Sequence, residues 1–259
     1  MKKIICSVAA AVLSAMVFAQ DYSALLKKAE DNTAFYGTDF KGNYTIVHNK
    51  PGEGQKITEA IMYRRDSEGK WTILVTGPAS EKGKGYLQYD GNIWFYDPVD
   101  SAFTFTSAKD KFQNTNANNS DFAPQKYFTN YAIDSAEKVK LGKLDCVLFC
   151  LSAKVDNVDY PKLKLWVTEN DGLVRKKEDY SLSGKMLRTT FIPKYQSIKN
   201  GGDISKIPVN MLIADSLKGK KIAGKVEYEK TQITIVNAEF AKQKDSVYTK
   251  PYLEMMKQR

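Results

Sequence analysis

Residues 85–96 read GYLQYDGNIWFY, in which two short runs of aromatic and branched residues flank the pair Asp90-Gly91. Asp-Gly commonly closes two-residue turns between antiparallel strands, because such turns require positive φ angles that these residues tolerate. The stretch therefore predicts a tight β-hairpin. Pro98 ends the second run, because proline cannot donate to a strand ladder, and a further strand pattern occupies residues 101–106.

The strand pattern continues in both directions from this hairpin. Before it, apolar residues alternate at 42–48, 59–65 and 71–76, between clusters of turn-forming residues. After it, strands are predicted at 138–141, 146–155, 163–168, 173–180, 186–195, 209–214, 225–229 and 232–237. The sequence therefore predicts a mainly β chain that contains an antiparallel meander and more than nine strands.

Two short helices and one long loop interrupt the strands. Residues 22–30 place their apolar side chains at helical spacing, and a second helix is predicted at 251–256, with a proline near its start. Residues 110–128 lack an apolar period and are rich in asparagine, so they predict a long surface loop.

The first nineteen residues have the three parts of a secretory signal peptide. Lys2 and Lys3 supply the positive charge, an apolar run occupies residues 4–18, and small residues stand at the cleavage positions. The run is shorter than the about 20 apolar residues of a membrane span. We expect cleavage before Gln20 and export to the periplasm, with residues 20–259 forming a single domain.

The formal net charge of +9 is spread along the chain. Basic and acidic residues stand side by side in segments such as 64–66 and 176–178, as on ordinary solvated surfaces, and no nucleic-acid motif occurs. The composition therefore predicts no nucleic-acid partner.

The residue types that catalysis uses are sparse. His48 is the only histidine and is predicted to be a surface residue beside a loop. Cys146 and Cys150 would lie about 13 Å apart on one strand, too far for a disulfide, so free thiols are expected. No phosphate-binding loop, zinc-ligand spacing or nucleophile elbow occurs. We expect no catalytic residues, no metal site and no cofactor; the alternative, a hydrolase with a histidine base, would have to use His48.

Five motifs, taken in order, resemble one known family. They are KGYL at 84–87, NIWFYDP at 92–98, SDF at 120–122, YPKLKLWV at 160–167 and the hairpin EDYSLSGKML at 178–187. Together with a signal peptide, this ordered set resembles the outer-membrane lipoprotein-sorting proteins, the LolA-like family. The resemblance covers residues 85–195.

The resemblance implies a strongly curved antiparallel sheet that forms an incomplete barrel, an α+β fold in which short helices and loops cover an apolar cavity. Such a cavity can shelter an acyl chain, since each buried methylene contributes about 0.8 kcal/mol. The implied function is that of a monomeric, non-catalytic periplasmic carrier of lipid or lipoprotein acyl chains, which an inner-membrane ATP-driven exporter loads and an outer-membrane acceptor unloads. The alternative is an interaction or structural module whose half-barrel is filled by its own side chains.

The cavity residues are predicted from alternation, which defines two sheet faces without identifying the concave one. The predicted lining is Ile73, Val75, Leu87, Trp94, Tyr96, Phe103, Phe105, Leu163 and Leu165. The loop at 110–128 is the predicted lid, and Phe112, Phe122 and Phe128 are its candidates for plugging the empty cavity. No arginine that locks this lid is identified in the sequence. Ordinary core packing is the alternative role of each of these side chains.

Overall fold

The computed structural model describes residues 22–256, so the predicted signal peptide and its cleavage site lie outside the described residues. The described part is built on one antiparallel sheet of thirteen strands. The strands are β1 Phe40–Lys50, β2 Gly54–Arg65, β3 Lys70–Gly77, β4 Gly85–Tyr89, β5 Asn92–Asp97, β6 Ala102–Thr106, β7 Tyr131–Leu141, β8 Leu144–Ala153, β9 Lys162–Thr168, β10 Val174–Tyr180, β11 Met186–Asn200, β12 Asp203–Ile222 and β13 Lys225–Phe240.

The order of the strands leaves the sheet open. It runs β6-β5-β4-β3-β2-β1-β13-β12-β11-β10-β9-β8-β7, so β6 and β7 are its two edges and do not pair with each other. This arrangement confirms the predicted mainly β, incomplete-barrel fold. The hairpin between β4 and β5 also forms as predicted, with φ angles of 49° at Asp90 and 73° at Gly91.

Several strands are longer than the sequence predicts. Residues 209–214 belong to the 20-residue strand β12, and residues 225–229 and 232–237 are parts of one 16-residue strand, β13. Both strands have exposed residues at consecutive positions near their shared turn. Alternation is absent where both faces of a strand meet solvent, and this hides the ends of such strands.

The inner face of the sheet carries two hydrophobic clusters. We define the inner face as the one bearing Tyr44, Met62 and Ile73, which belong to a central cluster that also includes side chains of β12 and β13. The second cluster lies on β8, β9 and β10. Helix α1, at 22–31, covers it with Leu26 and Ala29, and this helix confirms the first helical prediction.

The outer face carries a third cluster beneath the C-terminal helix. Helix α3, Lys250–Met256, confirms the second helical prediction and places Leu253 among outer-face side chains such as Leu87. Arg65 at the end of β2 holds the preceding segment. Its guanidinium donates to Asp39 at 2.9 and 3.0 Å and to Asp245 at 2.7 Å. Within residues 22–256, no helix has the length and apolar character needed to cross a membrane.

Gly85 on β4 lies against Leu253 of α3, and this contact tests the docking of the helix. A Cβ atom at Gly85 would lie 2.5 Å from Leu253 Cδ2. We expect Gly85→Ala to lower the free energy of unfolding by about 1–3 kcal/mol, because the helix must shift outward. The matched control is Gly202→Ala, which meets no atom within 4 Å and should change it by less than about 0.5 kcal/mol. Equal urea midpoints for the two variants would contradict the docking.

Candidate functional site

Residues 107–126 connect β6 to the short helix α2, Tyr127–Asn130, and cross the inner face of the sheet; we call them the plug segment. They contain two 3-10 turns, Phe112–Asn114 and Asn119–Phe122. The rings of Phe112 and Phe122 lie 4.8 Å apart and are both buried in the central inner cluster. The plug segment therefore fills part of the barrel interior.

The prediction of a surface loop at 110–128 is wrong for most of these residues. Of the asparagines that suggested solvent exposure, Asn116, Asn118 and Asn119 are buried and Asn114 is exposed. Asn118 caps the second turn of the plug segment, and Asn119 Nδ2 donates to the carbonyl oxygen of Ser107 at 2.9 Å. Buried polar residues of this kind produce no apolar period, so the sequence pattern gives no sign of their burial.

The plug segment is held by the guanidinium of Arg188, a side chain on β11 that is 2% exposed. Its two terminal nitrogens donate to the two carboxylate oxygens of Asp121, each at 2.7 Å. Its Nε donates to Asp179 on the neighbouring strand β10 at 2.5 Å. One buried cation thus joins the sheet to the plug segment through two carboxylates. Neither sequence period nor spacing pointed to Arg188.

The surroundings of Arg188 keep all the charges paired. Lys177 Nζ lies 3.2 Å from Asp179, and the ring of Tyr160 lies 4.8 Å from the guanidinium carbon of Arg188. Burial opposes ionisation of Asp121, but the charge and hydrogen bonds of Arg188, the charge of Lys177 and the N–H of Asn118 together outweigh it and lower the pKa of this carboxyl to about 2. Burial likewise acts against the charge of Arg188, whereas Asp121 and Asp179 raise its pKa well above the usual value.

A second tie joins the plug segment to β13. The backbone N–H of Asn116 donates to the hydroxyl oxygen of Thr231 at 2.9 Å, and that oxygen lies 2.9 Å from His48 Nδ1. His48 is only 4% exposed, so its predicted surface location is wrong. Its side chain points inward because position 48 has the same strand parity as Tyr44. Burial lowers the pKa of His48, which favours the neutral ring.

A mainly apolar, partly open cavity of about 110 Å³ lies between the plug segment, the inner face and the chain that follows α1. Its apolar lining consists of Phe35, Phe40, Tyr44, Phe122, Tyr127, Val174, Ile192, Tyr195, Ile207, Met211, Ile213 and Ile235. Polar side chains at its wall include Arg64, Lys177 and Thr190. The hydroxyl of Thr190 is buried and has no hydrogen-bond partner, so it is a free polar group beside an apolar space.

A second space of about 200 Å³ adjoins this cavity. The two share the wall residues Ala123, Gln125, Tyr127 and Lys177, three of which lie on the plug segment or in α2. Ligand pockets usually measure about 300–1,000 Å³, so each space alone is small. Displacement of the plug segment would merge them into a space at the lower end of that range.

The predicted cavity residues divide between the two faces. Ile73, Val75, Leu163 and Leu165 lie on the inner face. Leu87, Trp94, Tyr96, Phe103 and Phe105 lie on the outer face, near α3, as strand pairing requires. Phe122 lines the apolar cavity, Phe112 is buried against Phe122, and Phe128 is partly exposed beneath Lys154. These five residues lie on the outer face because successive side chains alternate between the two faces along β4, β5 and β6.

The other chemistry-bearing side chains form no metal site among residues 22–256. Cys146 is buried and Cys150 partly exposed, and both thiols are free, as predicted. His48 lies between Thr231 and Glu229, whose carboxylate is 3.8 Å from His48 Nε2. This order resembles a nucleophile, a base and an acid, but Thr231 is fully buried and already accepts the N–H of Asn116. The plug segment thus closes this hydroxyl to a substrate.

Comparison with solved structures identifies the class of fold. A LolA superfamily protein of Nitrosomonas europaea superposes with a TM-score of 0.69 at 22% identity, over 88% of this chain and 97% of the other. A domain described as outer-membrane lipoprotein-sorting protein, from Vibrio parahaemolyticus, gives 0.73 at 14% identity, over 90% and 97%. A DUF1329 family protein of Desulfovibrio piger gives 0.72 at 17% identity, over 89% and 97%. The chain therefore has the LolA-like fold.

The family of the chain follows from its sequence. Residues 67–255, well over half of the chain, match the family model described as "-like: Uncharacterized protein", and the chain belongs to that family. No curated protein matches the chain.

The ion pair between Asp121 and Arg188 predicts a specific response to acid. The pKa of Asp121 is lowered from 3.8 to about 2, so its ionised form stabilises the fold above pH about 4, by about 2 kcal/mol. This contribution is lost as the pH falls from about 4 towards 2. In urea unfolding, Asp121→Asn should be less stable at neutral pH and should lose this part of the acid dependence. The exposed control Asp156→Asn should retain the wild-type profile, and an Asp121→Asn profile parallel to it would contradict the assignment.

Proposed function

We propose that this protein is a periplasmic, non-catalytic carrier that shelters the acyl chains of a lipid or lipoprotein on the inner face of its sheet and delivers them towards the outer membrane. The observation that carries the proposal is the mainly apolar cavity beneath a plug segment that is tied to the sheet by side chains. The protein shares its fold with a domain described as an outer-membrane lipoprotein-sorting protein, and this supports the proposed function.

The plug segment can move without breaking strand pairing. Its one β-bridge within the described residues joins Lys111 to Asn118, both in the segment itself. Where its backbone N–H groups bond to the sheet, the acceptors are side chains. The N–H of Asn116 donates to the hydroxyl of Thr231, and the N–H of Gln113 donates to the hydroxyl of Tyr86. Opening therefore costs side-chain interactions and leaves the thirteen-stranded ladder intact.

The energies of opening and of lipid burial are comparable. Exposing Phe112 and Phe122 costs about 3–6 kcal/mol at about 1.5–3 kcal/mol per side chain. Separating the buried pair of Arg188 and Asp121 adds about 3–5 kcal/mol. At about 0.8 kcal/mol per methylene, roughly eight to fourteen buried methylenes offset both terms. An acyl chain of ordinary lipid length meets this requirement, whereas a short-chain acid does not.

Carriage also requires a donor and an acceptor. We assign these roles to an inner-membrane ATP-driven exporter and to an outer-membrane acceptor, as the resemblance of the sequence implies. The gap between β6 and β7 is not closed by strand pairing, so cargo that passes there requires movement of the plug segment but not of the strand ladder.

Native mass spectrometry tests whether the protein carries a lipid. Mature protein purified from its own periplasm without detergent should contain an extractable lipid or acylated peptide at close to one per chain. Added fatty acids should bind only above a threshold of roughly eight to fourteen methylenes, because shorter chains do not offset the opening cost. Protein that is always empty and takes up no long-chain acid would contradict carriage.

A matched pair of variants localises the binding. Ala123 lies in the wall that the two inner spaces share, and Ala132 is exposed on the edge strand β7. We expect Ala123→Phe to reduce long-chain uptake at least tenfold, because its ring occupies the space that the acyl chain needs. Ala132→Phe should bind like wild type. Equal uptake by the two variants would place the lipid elsewhere.

The second candidate function is an interaction or structural module with a self-filled interior. The burial of Phe112, Ala117 and Phe122 in the central inner cluster favours this alternative, since these side chains occupy much of the interior. Such a module would act through its exposed surface on an envelope complex. It would remain empty in native mass spectrometry and would tolerate Ala123→Phe without change in its interaction.

A further inference from the structure

The turn between β12 and β13 projects beyond the strands on either side. Pairing of β12 with β11 ends at Asp215, and pairing of β13 with β1 ends at Lys230. Residues 216–229, which we call the hairpin tip, therefore pair only within themselves, beginning with Gly219 opposite Tyr228. The hairpin tip is thus a two-stranded ribbon that pairs with neither neighbouring strand, and its Lys220 and Ile222 side chains lie beside the β1–β2 turn at Gly52.

One face of the hairpin tip exposes an apolar strip. Val226 and Tyr228 lie on the same face of β13 and are 56% and 41% exposed. Gly219 faces them from β12, where a Cβ atom would lie 2.8 Å from Val226 and 2.9 Å from the Tyr228 ring. The absence of a side chain at Gly219 lets the ring lie across the ribbon. Leu217, 50% exposed, extends the apolar surface at the base.

The charges of the hairpin tip are mostly basic and partly unpaired. Residues 216–229 contain four lysines and two glutamates. Lys218 lies 3.6 Å from Glu229, whereas Lys220, Lys221 and Lys225 have no carboxylate within 4.0 Å in the described part of the chain. Lys221 shares the face of Val226, and Lys220 lies on the opposite face. Positive charge therefore surrounds the apolar strip.

We propose that the hairpin tip docks on the surface of a lipid bilayer that contains anionic lipids. Tyrosine favours the headgroup level because its ring is apolar and its hydroxyl is polar, and lysines extend their ammonium groups to anionic headgroups around a buried apolar side chain. Lysines on both faces suit mobile headgroups on all sides of an inserted ribbon. A folded protein partner would instead need a groove or fixed carboxylates facing one side.

The location of the hairpin tip links docking to the interior. The tip leaves the sheet beside Thr231 and Arg188, the two residues that hold Asn116 and Asp121 of the plug segment. A bilayer that holds the tip therefore lies close to the anchors of the plug. This docking goes beyond the proposed carriage of acyl chains and does not depend on the identity of the cargo.

Co-sedimentation with vesicles tests the docking. Mature wild-type protein should bind vesicles of phosphatidylcholine and phosphatidylglycerol and should bind weakly to phosphatidylcholine alone. The triple variant Lys220→Gln, Lys221→Gln, Lys225→Gln should lose about a hundredfold in partitioning onto the anionic vesicles, because each lysine contributes separately. Its melting temperature should match the wild type, since these side chains are exposed.

Two control variants separate the hairpin tip from general surface properties. Lys138→Gln, Lys140→Gln, Lys143→Gln removes the same charge from the edge strand β7 and the turn after it, and should change partitioning less than threefold. Val226→Ser should weaken binding about tenfold, whereas Val99→Ser, at an exposed turn, should not. Equal losses in the two lysine triples would attribute binding to net charge, and no binding to any vesicle would favour a protein partner; either result overturns the proposal. The cargo content of the Lys220 triple should remain that of wild type, which keeps failure of docking distinct from failure of carriage.

Discussion

The buried guanidinium of Arg188 is the interaction on which the interior of this protein depends. A cation at 2% exposure is stable only if its charge and its donors are matched, and here one carboxylate comes from the sheet and one from the plug segment. Arg188 is therefore fully paired only when the plug segment lies across the interior. The segment that this bond holds carries Phe112 and Phe122 into the central inner cluster, and Phe122 forms part of the cavity wall.

The rest of the fold restrains the sheet, whereas the plug segment is held to it without strand pairing. Helix α1 seals the inner face of β8, β9 and β10, and helix α3 seals the outer face at β4, each through its own hydrophobic cluster. Arg65 fixes the chain that leads into α3 through Asp39 and Asp245. The backbone of the plug segment bonds within the segment and to side chains of the sheet, so local opening there breaks no bond of the ladder.

The sequence predicted the strands and helices of this fold better than it predicted which face of each strand points inward. The β4–β5 hairpin and both terminal helices followed from local chemistry: an Asp-Gly turn and helical apolar spacing. The identity of the inner face did not follow from local chemistry. Alternation shows which residues of β4 to β6 share a face, but it relates that face to a face of β9 only when the register of every strand between them is known. The role of Arg188 could not be predicted for a related reason. Its two carboxylate partners lie 9 and 67 residues away in the sequence, so only the folded sheet brings them together. Finally, the plug segment is rich in asparagine, which is typical of an exposed loop, so its composition gave no sign that it is buried.

The connectivity of the open sheet has a mechanical consequence. The plug segment begins at β6 and, through α2, ends at β7, so a single stretch of chain joins the two edges of the sheet across the gap between them. The gap that strand pairing leaves open is therefore spanned by a covalent connection, and the ties from Asp121 to Arg188 and from Asn116 to Thr231 hold that connection against the middle of the sheet. The two edges of the sheet are thus linked to its centre through side chains as well as through the strand ladder.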